Sequence, residues 1–323
     1  MTERYEVRRF TTDLIEDAAG LLAERHRHAR IRLPALDPGY ESAERAGSAL
    51  AGIDALADAT GAIAYVAGKP AGYVLMTPRP AEQWGPNAWA EDVGCAGESE
   101  AIRAVYAVVA GELMERGVNR HYAVVPASED KLVDAWFTLS FGLQQVYAFR
   151  EPVGPDFQPA ARDGLTIRRA EDRDIHALAE VDLVLPYHVM KAPVFSSLTP
   201  PTIEEAEAEL AEDIHNPKYA IFVAEHGGRV IATAVGCDVE VSSSWVRLMR
   251  PMHAGLLGFA ATLPDARGLG AGRALCETFF IWARDKGYEW LATDWRSTNI
   301  EGNRTWRAMG FRPLYLRLHR AII

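Results

Sequence analysis

Apolar and polar residues alternate at positions 5–9 (YEVRR) and again at 165–169 (LTIRR). In both places the alternation passes through an acidic stretch into apolar residues spaced three and four apart. Period two predicts a strand and the longer period a helix that buries one face, so the same strand-then-helix opening occurs twice along the chain. A hairpin follows in each half. Residues 63–67 and 73–76 flank GKPAG, and residues 220–224 and 230–235 flank EHGGR, where His226 and Arg229 read as solvated turn residues. In the second half the pattern predicts helices at 172–184, 202–214, 272–286 and 300–309, with strands at 259–263 and 290–295. The resulting order is strand, one or two helices, hairpin, strand, helix, strand, helix, strand. It predicts an α+β fold in which each half is a mixed, mostly antiparallel central sheet flanked by helices.

Landmarks late in each half share one offset. Arg103-Ala104 corresponds to Arg273-Ala274, Arg116-Gly117 to Lys286-Gly287, Trp136 to Trp306 and Ser140-Phe141 to Gly310-Phe311, each pair 170 residues apart. The openings are 160 apart, so the pattern reads as a tandem duplication with about ten residues gained in the second copy. Residues 151–164 carry prolines at 152, 155 and 159 and form the natural linker. The expected domains are therefore 1–150 and 165–323.

The stretch 259–273, FAATLPDARGLGAGR, is a short apolar strand, a stop at Pro264, a glycine-dense loop and the start of a helix. Gly268, Gly270 and Gly272 lack a Cβ, so backbone N–H groups can converge closely on a ligand, and the helix adds its free N-terminal amides. Such a turn suits a phosphate or diphosphate. A P-loop requires Lys-Ser or Lys-Thr after the last glycine, where this chain has Arg273-Ala274. A dinucleotide fold requires G-x-G-x-x-G and several later strands, and neither is present.

Arg267-x-x-Gly270-x-Gly272 after a strand resembles the acetyl-CoA pyrophosphate loop of the GCN5-related N-acetyltransferases (GNAT). A second marker of that family, an Asn followed by a helix with an aromatic residue and a closing Gly-Phe, is matched by Asn299, Trp306, Gly310 and Phe311. The resemblance implies two tandem GNAT-like domains and direct transfer of acetyl from acetyl-CoA to a primary amine in a ternary complex, the acceptor being a small molecule or an amino terminus. It assigns pantetheine to the strand backbone of Ala260, Ala261 and Thr262. The pyrophosphate falls to Arg267, Gly268, Leu269, Gly270, Ala271, Gly272 and Arg273, and a bond to the pantetheine arm to Asn299. A splayed strand would leave a backbone N–H for the thioester oxygen. The proline- and aromatic-rich stretch 185–201 would border the acceptor pocket.

An ammonium is mostly charged at neutral pH, so a carboxylate or a water it orders must take a proton. Asp294, on the strand expected beside the cofactor strand, is the first choice, with Glu240 and Asp238 next. His188 and His253 are further candidates, although a lone His is more often a packed or surface residue. Many members carry a Tyr seven residues after the Asn, proposed to protonate the leaving thiolate. Here that position is Trp306, whose indole can donate a hydrogen bond but cannot give up its proton. Trp306 is therefore expected to pack against the thioester, and Tyr187 and Tyr315 are the other hydroxyls to test.

In the first half the loop aligns with GESEAI at 97–102, which has lost the arginine and two glycines and sets Glu98 and Glu100 where the anion would sit, while Asn299 aligns with Glu129. This copy is expected to be degenerate, keeping the fold without binding CoA and serving as a structural half of an internal pseudo-dimer or as a shaper of acceptor specificity. His26 and His28, among Arg25, Arg27, Arg30 and Arg32, read as a charged helix face, and no metal is expected. Two other functions stay open: a non-catalytic acyl-CoA sensor or scaffold, and an amino-sugar acetyltransferase resembling mycothiol synthase, which also has tandem halves.

Composition narrows the picture. The 323 residues suit two domains, and 49% apolar residues suit a packed core. The formal charge of -10 argues against nucleic acid or an anionic membrane as partner. Cys95, Cys237 and Cys276 are odd in number and widely spaced. With no apolar leader and no run of 18 apolar residues, reduced thiols in a cytoplasmic monomer or homodimer are expected.

Overall fold

The structure, a computed structural model, describes residues 5–54, 59–197 and 199–323. The first half runs β1 (Glu6–Arg9), α1 (Ile15–Arg32), α2 (Ala43–Asp54), β2 (Thr60–Val66), β3 (Lys69–Arg79), α3 (Ala81–Trp84), β4 (Asn87–Ala90), β5 (Cys95–Gly97), α4 (Ser99–Glu115), β6 (Arg120–Pro126), α5 (Asp130–Thr138) and β7 (Gly142–Arg150). The second runs β8 (Leu165–Arg169), α6 (Ile175–Asp182), α7 (Val184–Val189), α8 (Ile203–Asp213), β9 (Tyr219–His226), β10 (Arg229–Asp238), β11 (Ala254–Thr262), α9 (Ala271–Asp285), β12 (Trp290–Arg296), α10 (Ile300–Ala308) and β13 (Arg312–Ala321). The chain folds as two compact units that are not contiguous in sequence. Unit 1 holds the residues through Tyr147 together with Val246–Arg250 and Pro313–Ile323. Unit 2 holds Ala148–Trp245 and Pro251–Arg312.

In unit 1 the strand order is β1-β2-β3-β4-β6-β13-β7, with β5 beside β3. β4 and β6 run parallel, and β13 pairs antiparallel with β6 from Tyr315 opposite Pro126 to Ala321 opposite Arg120. The period-two pattern of β2 is visible in its packing. Ala62 and Ala64 join one core with Ile102, Val105, Tyr106 and Trp136, whereas Ile63 and Tyr65 join another with Leu22, Leu50, Tyr73 and Leu248. Leu248 comes from the short segment 246–250, which is fastened by the wholly buried Asp92. One Asp92 oxygen accepts from Arg247 Nε at 3.0 Å and the other from the Leu248 N–H at 2.8 Å.

α1 departs from its expected character as a solvated charged face. Arg25 and His26 are 5% and 0% exposed. The reason is spacing: Arg25 and His26 fall on the buried stripe with Ala18, Ala19, Leu22, Ala23 and Ala29. Arg25 donates to the carbonyls of Cys95 and Asp92. His26 meets the Asp37 carbonyl at 2.8 Å, and burial pushes its pKa down to about 4.

In unit 2 the order is β12-β11-β10-β9-β8, antiparallel except for β11 with β12. α6 and α8 bury Leu178, Ala179, Ala206 and Leu210 against Ile221 and Val223 of β9. α8 begins with a capping box: the Thr202 hydroxyl accepts from the Glu205 N–H at 3.2 Å and the Glu205 carboxylate from the Thr202 N–H at 2.8 Å. α9 lays Phe279 over Gly236, where a Cβ would come within 2.9 Å of the ring, so β10 needs a glycine there for the helix to lie close. Two boundaries differ from expectation. β11 begins at Ala254 rather than 259, because strand pairing overrides the low strand propensity of Gly255 and Gly258. The helix expected at 172–184 ends at Asp182, and α7 follows from Val184 to Val189 with Pro186 in its first turn, where no N–H is needed.

Candidate coenzyme and acyl-transfer site

The site is built where β11 leaves β12. The two strands are in parallel register over three pairs, Ala254 with Trp290, Gly255 with Leu291 and Leu256 with Ala292, although β11 continues to Thr262 and β12 to Arg296. On its other side β11 stays paired with β10 to Thr262. There Val235 faces Phe259 and Gly236 faces Leu257, so Gly258 bulges out of the ladder. The bulge bends the strand at the point where it parts from β12. At the apex the buried Thr293 hydroxyl donates to the Leu257 carbonyl at 2.9 Å, tying the two strands together there. The result is a wedge between two diverging strands. Ala260, Ala261 and Thr262 lie on β11 beyond the apex, with Ala260 half-buried and Ala261 buried.

The wall of the wedge ends in the glycine loop. Gly268 and Gly270 take φ of +89° and +81°, a region that side chains with a Cβ rarely enter. Gly270 is the N-cap of α9 and offers no side-chain hydrogen bond, and the first turn contains no acid. The first amides of α9, at Ala271, Gly272 and Arg273, therefore lack a side-chain acceptor from the cap and carry the positive end of the helix dipole. Leu269 and Arg267 are exposed. Arg267 Nη1 pairs with Glu301 of α10 at 3.0 Å, linking the loop to the opposite wall. Arg273 pairs with Glu277 at 3.0 Å. These features fit a diphosphate.

On that opposite wall Asn299 caps α10. Its Oδ1 accepts from the Gly302 N–H at 3.1 Å and lies 3.4 Å from His188 Nε2 of α7. Asp294 is half-buried on β12, two residues beyond the last paired Ala292. Trp306 is half-buried on α10, edge-on to Phe311 at 6.2 Å between ring centroids. Thus Asp294, Asn299 and Trp306 follow one another along β12 and α10, and the loop is tied to α10 by the Arg267–Glu301 pair. Asp238 and Glu240 lie elsewhere. Asp238 is opposite Gly255, below the parting point, and accepts from the exposed Glu240's own N–H at 2.8 Å. His253 is an exposed turn residue whose carbonyl accepts from the Glu289 N–H at 2.9 Å.

Tyr315 does not stand in for the missing acid: it is wholly buried in unit 1 near Arg25, Asp92 and Cys95, and burial pushes its pKa far up. Tyr187 is 51% exposed on α7.

The Acetyltransferase (GNAT) family profile matches residues 190–311, the segment that contains the wedge, the loop and both walls. An aminoglycoside N(6')-acetyltransferase type 1 from Stenotrophomonas maltophilia is 27% identical over 158 residues, covering 47% of this chain and 92% of the relative. Over the whole chain the fold is that of tandem GNAT proteins. A GCN5-related N-acetyltransferase from Sphaerobacter thermophilus superposes with a TM-score of 0.58 at 15% identity, covering 99% of this chain and 96% of its own. A tandem GNAT protein from the clavulanic acid biosynthesis pathway gives 0.50 at 11% identity, covering 98% of each chain.

Two residues in and around this segment escaped the sequence reading. Thr293 rests on geometry that no local pattern announces, while His188, noted in the sequence as a lone histidine, lies beside Asn299 in the structure. Asp182 was discoverable, because it stands at the position where the stripe Ile175, Leu178, Ala179 calls for an apolar side chain. One of its carboxylate oxygens is buried with no hydrogen-bond partner, and burial, with help from Glu209, pushes its pKa up to about 7. Among the described residues no group of His, Cys, Asp or Glu is placed to hold a metal ion, and no helix is long and apolar enough to cross a membrane.

Proposed function

We propose that this chain is an N-acetyltransferase that moves acetyl from acetyl-CoA directly to a primary amine while both are bound in unit 2. The observation that carries the reading is the wedge between β11 and β12 opening beside a helix N-terminus that is capped by a left-handed glycine and faces no carboxylate of its own first turn. In this reading the amides of residues 268–273 hold the diphosphate, with Arg267 exchanging Glu301 for phosphate. The free edge of Ala260 to Thr262 pairs with the pantetheine amides as an added strand would. Asn299 bonds the same arm, and backbone at the bulge receives the thioester oxygen as it gains charge.

Asp294, or a water it holds, takes the proton from the ammonium. The freed nitrogen then bonds to the thioester carbon, the carbon–sulfur bond breaks and the thiolate leaves with the bonding pair, and the second proton shed by the nitrogen passes through water to the thiolate. A thiol of pKa near ~8.5 is a tolerable leaving group, so Trp306 need only pack against it.

The acceptor proposed is a cationic amino sugar. Its support is the similarity to an aminoglycoside acetyltransferase. The first half, 1–150, joined through 151–164 to 165–323, is proposed as a degenerate copy that does not take CoA. In support, α4 begins at Glu98 with Glu100 in its first turn, and Arg25 of α1 lies against the carbonyls of Asp92 and Cys95, the latter on β5 beside β3. Release of free thiol from acetyl-CoA, assayed across aminoglycosides, simple amines and peptides, tests the proposal. Amine-dependent release supports transfer, whereas CoA binding with no release by any amine leaves the sensor reading in its place.

A further inference from the structure

Arg162 belongs to the segment that joins the two halves, yet its side chain is 16% exposed and reaches the flank of α9. It meets Glu277 as a two-pronged pair, Nη1 to Oε2 at 3.0 Å and Nη2 to Oε1 at 3.2 Å, and Nη1 also donates to the Ala160 carbonyl at 2.8 Å. Glu277 is 5% exposed and receives two more donors, Arg273 Nε at 3.0 Å and the Ala160 N–H at 3.3 Å. Burial works to raise its pKa, but the two guanidinium groups outweigh burial and hold it below the usual carboxylate range. One buried carboxylate thus gathers two arginines beside the first turns of α9, leaving one net positive charge there in addition to Arg267.

The stem of Arg162 has a second contact. Its Cδ and Nε lie 3.0 Å from the place a Cβ would occupy at Gly270, so the linker packs directly on the glycine that caps α9. A charged pair of this kind, mostly withdrawn from water, is screened little by salt and keeps its geometry through a fork that lysine cannot reproduce.

We propose that Arg162 is a positioning residue for the coenzyme's diphosphate, holding the Gly270 turn closed with its stem and supplying positive potential to the loop with a guanidinium shared with Glu277. The linker between the halves is then part of the coenzyme site. This inference rests on the coenzyme reading of the loop. A merely structural anchor would affect melting alone, whereas this role affects affinity and its dependence on salt.

The test is calorimetric titration of the full chain with CoA at low and at moderate salt, for wild type, Arg162→Met and Arg162→Lys, with melting temperatures recorded for each. Arg162→Met keeps the stem and loses the charge. It is expected to weaken CoA binding about ten-fold at low salt and to flatten the salt dependence, with Arg162→Lys falling between it and wild type. Wild-type affinity and salt dependence in Arg162→Met overturn the proposal. Should that variant not fold, Arg162→Lys decides: weakened binding supports the role and unchanged binding overturns it. A wild type that shows no CoA binding overturns the coenzyme reading itself, and this inference with it.

Discussion

Trp306 and Asp182 are the two residues whose chemistry departs furthest from what their positions call for. Trp306 occupies the place of an acid while packing edge-on against Phe311. Trp306→Tyr is expected to raise turnover by about 100-fold, the low end of what a positioned acid contributes, and to add a basic limb to the pH profile of kcat. Unchanged turnover and profile would count against a thiolate that leaves unaided.

Asp182 is a carboxylate whose folded pKa of about 7 stands above its ordinary value. Because the folded state holds this proton more tightly than the unfolded chain, the associated stability is complete below about pH 4 and is lost as pH rises toward 7. Asp182→Asn, which mimics the protonated form, is expected to match wild type at pH 4 and to exceed it at pH 8 by on the order of 2 kcal/mol in urea unfolding. An equal difference at both pH values would contradict the assignment. The spacing of α6 exposes Asp182 in the sequence, just as the stripe of α1 exposes Arg25 and His26. Residue type suggested solvated charges, but helical position decided which of them are buried.

At the scale of elements, the wedge depends on two neighbours in the sheet, one bulge and one hydroxyl. Thr293→Val removes the donor to the Leu257 carbonyl without changing shape, and it is expected to destabilise the protein by about 1–3 kcal/mol, the cost of a buried unpaired carbonyl. CoA affinity should fall with it, because the apex then has no clamp. A variant with wild-type unfolding midpoint and affinity would show that the strands part without Thr293.

The glycine loop and the helix after it were readable because each rests on local chemistry, positive φ and a free helix start, whereas Asn299 was singled out by resemblance and its capping of α10 is seen only in the structure. The bulge at Gly258 was less so, since a glycine in a strand marks a break as readily as a bend. Neither could Thr293 be read, because its partner is 36 residues away and is set by the register of a parallel pair.

For the whole molecule, the mixed, largely antiparallel sheet flanked by helices follows from the repeated strand-and-helix pattern. What the pattern did not reveal is that the compact units draw on distant segments: β13 runs beside β6, and residues 246–250 are fastened by Asp92. Which open strand edge a segment joins depends on long-range pairing that no local period encodes. The account makes one demand on the chain as a whole. Unit 2 offers amides that face no carboxylate of their own helix turn at a glycine-capped start, while in unit 1 the corresponding helix begins among Glu98 and Glu100. Calorimetric titration of the full chain with CoA, for wild type and Gly270→Glu, tests that demand. The account predicts one CoA per wild-type chain and no measurable binding by a folded Gly270→Glu variant; two sites per chain, no binding by wild type, or undiminished binding by the variant would contradict it.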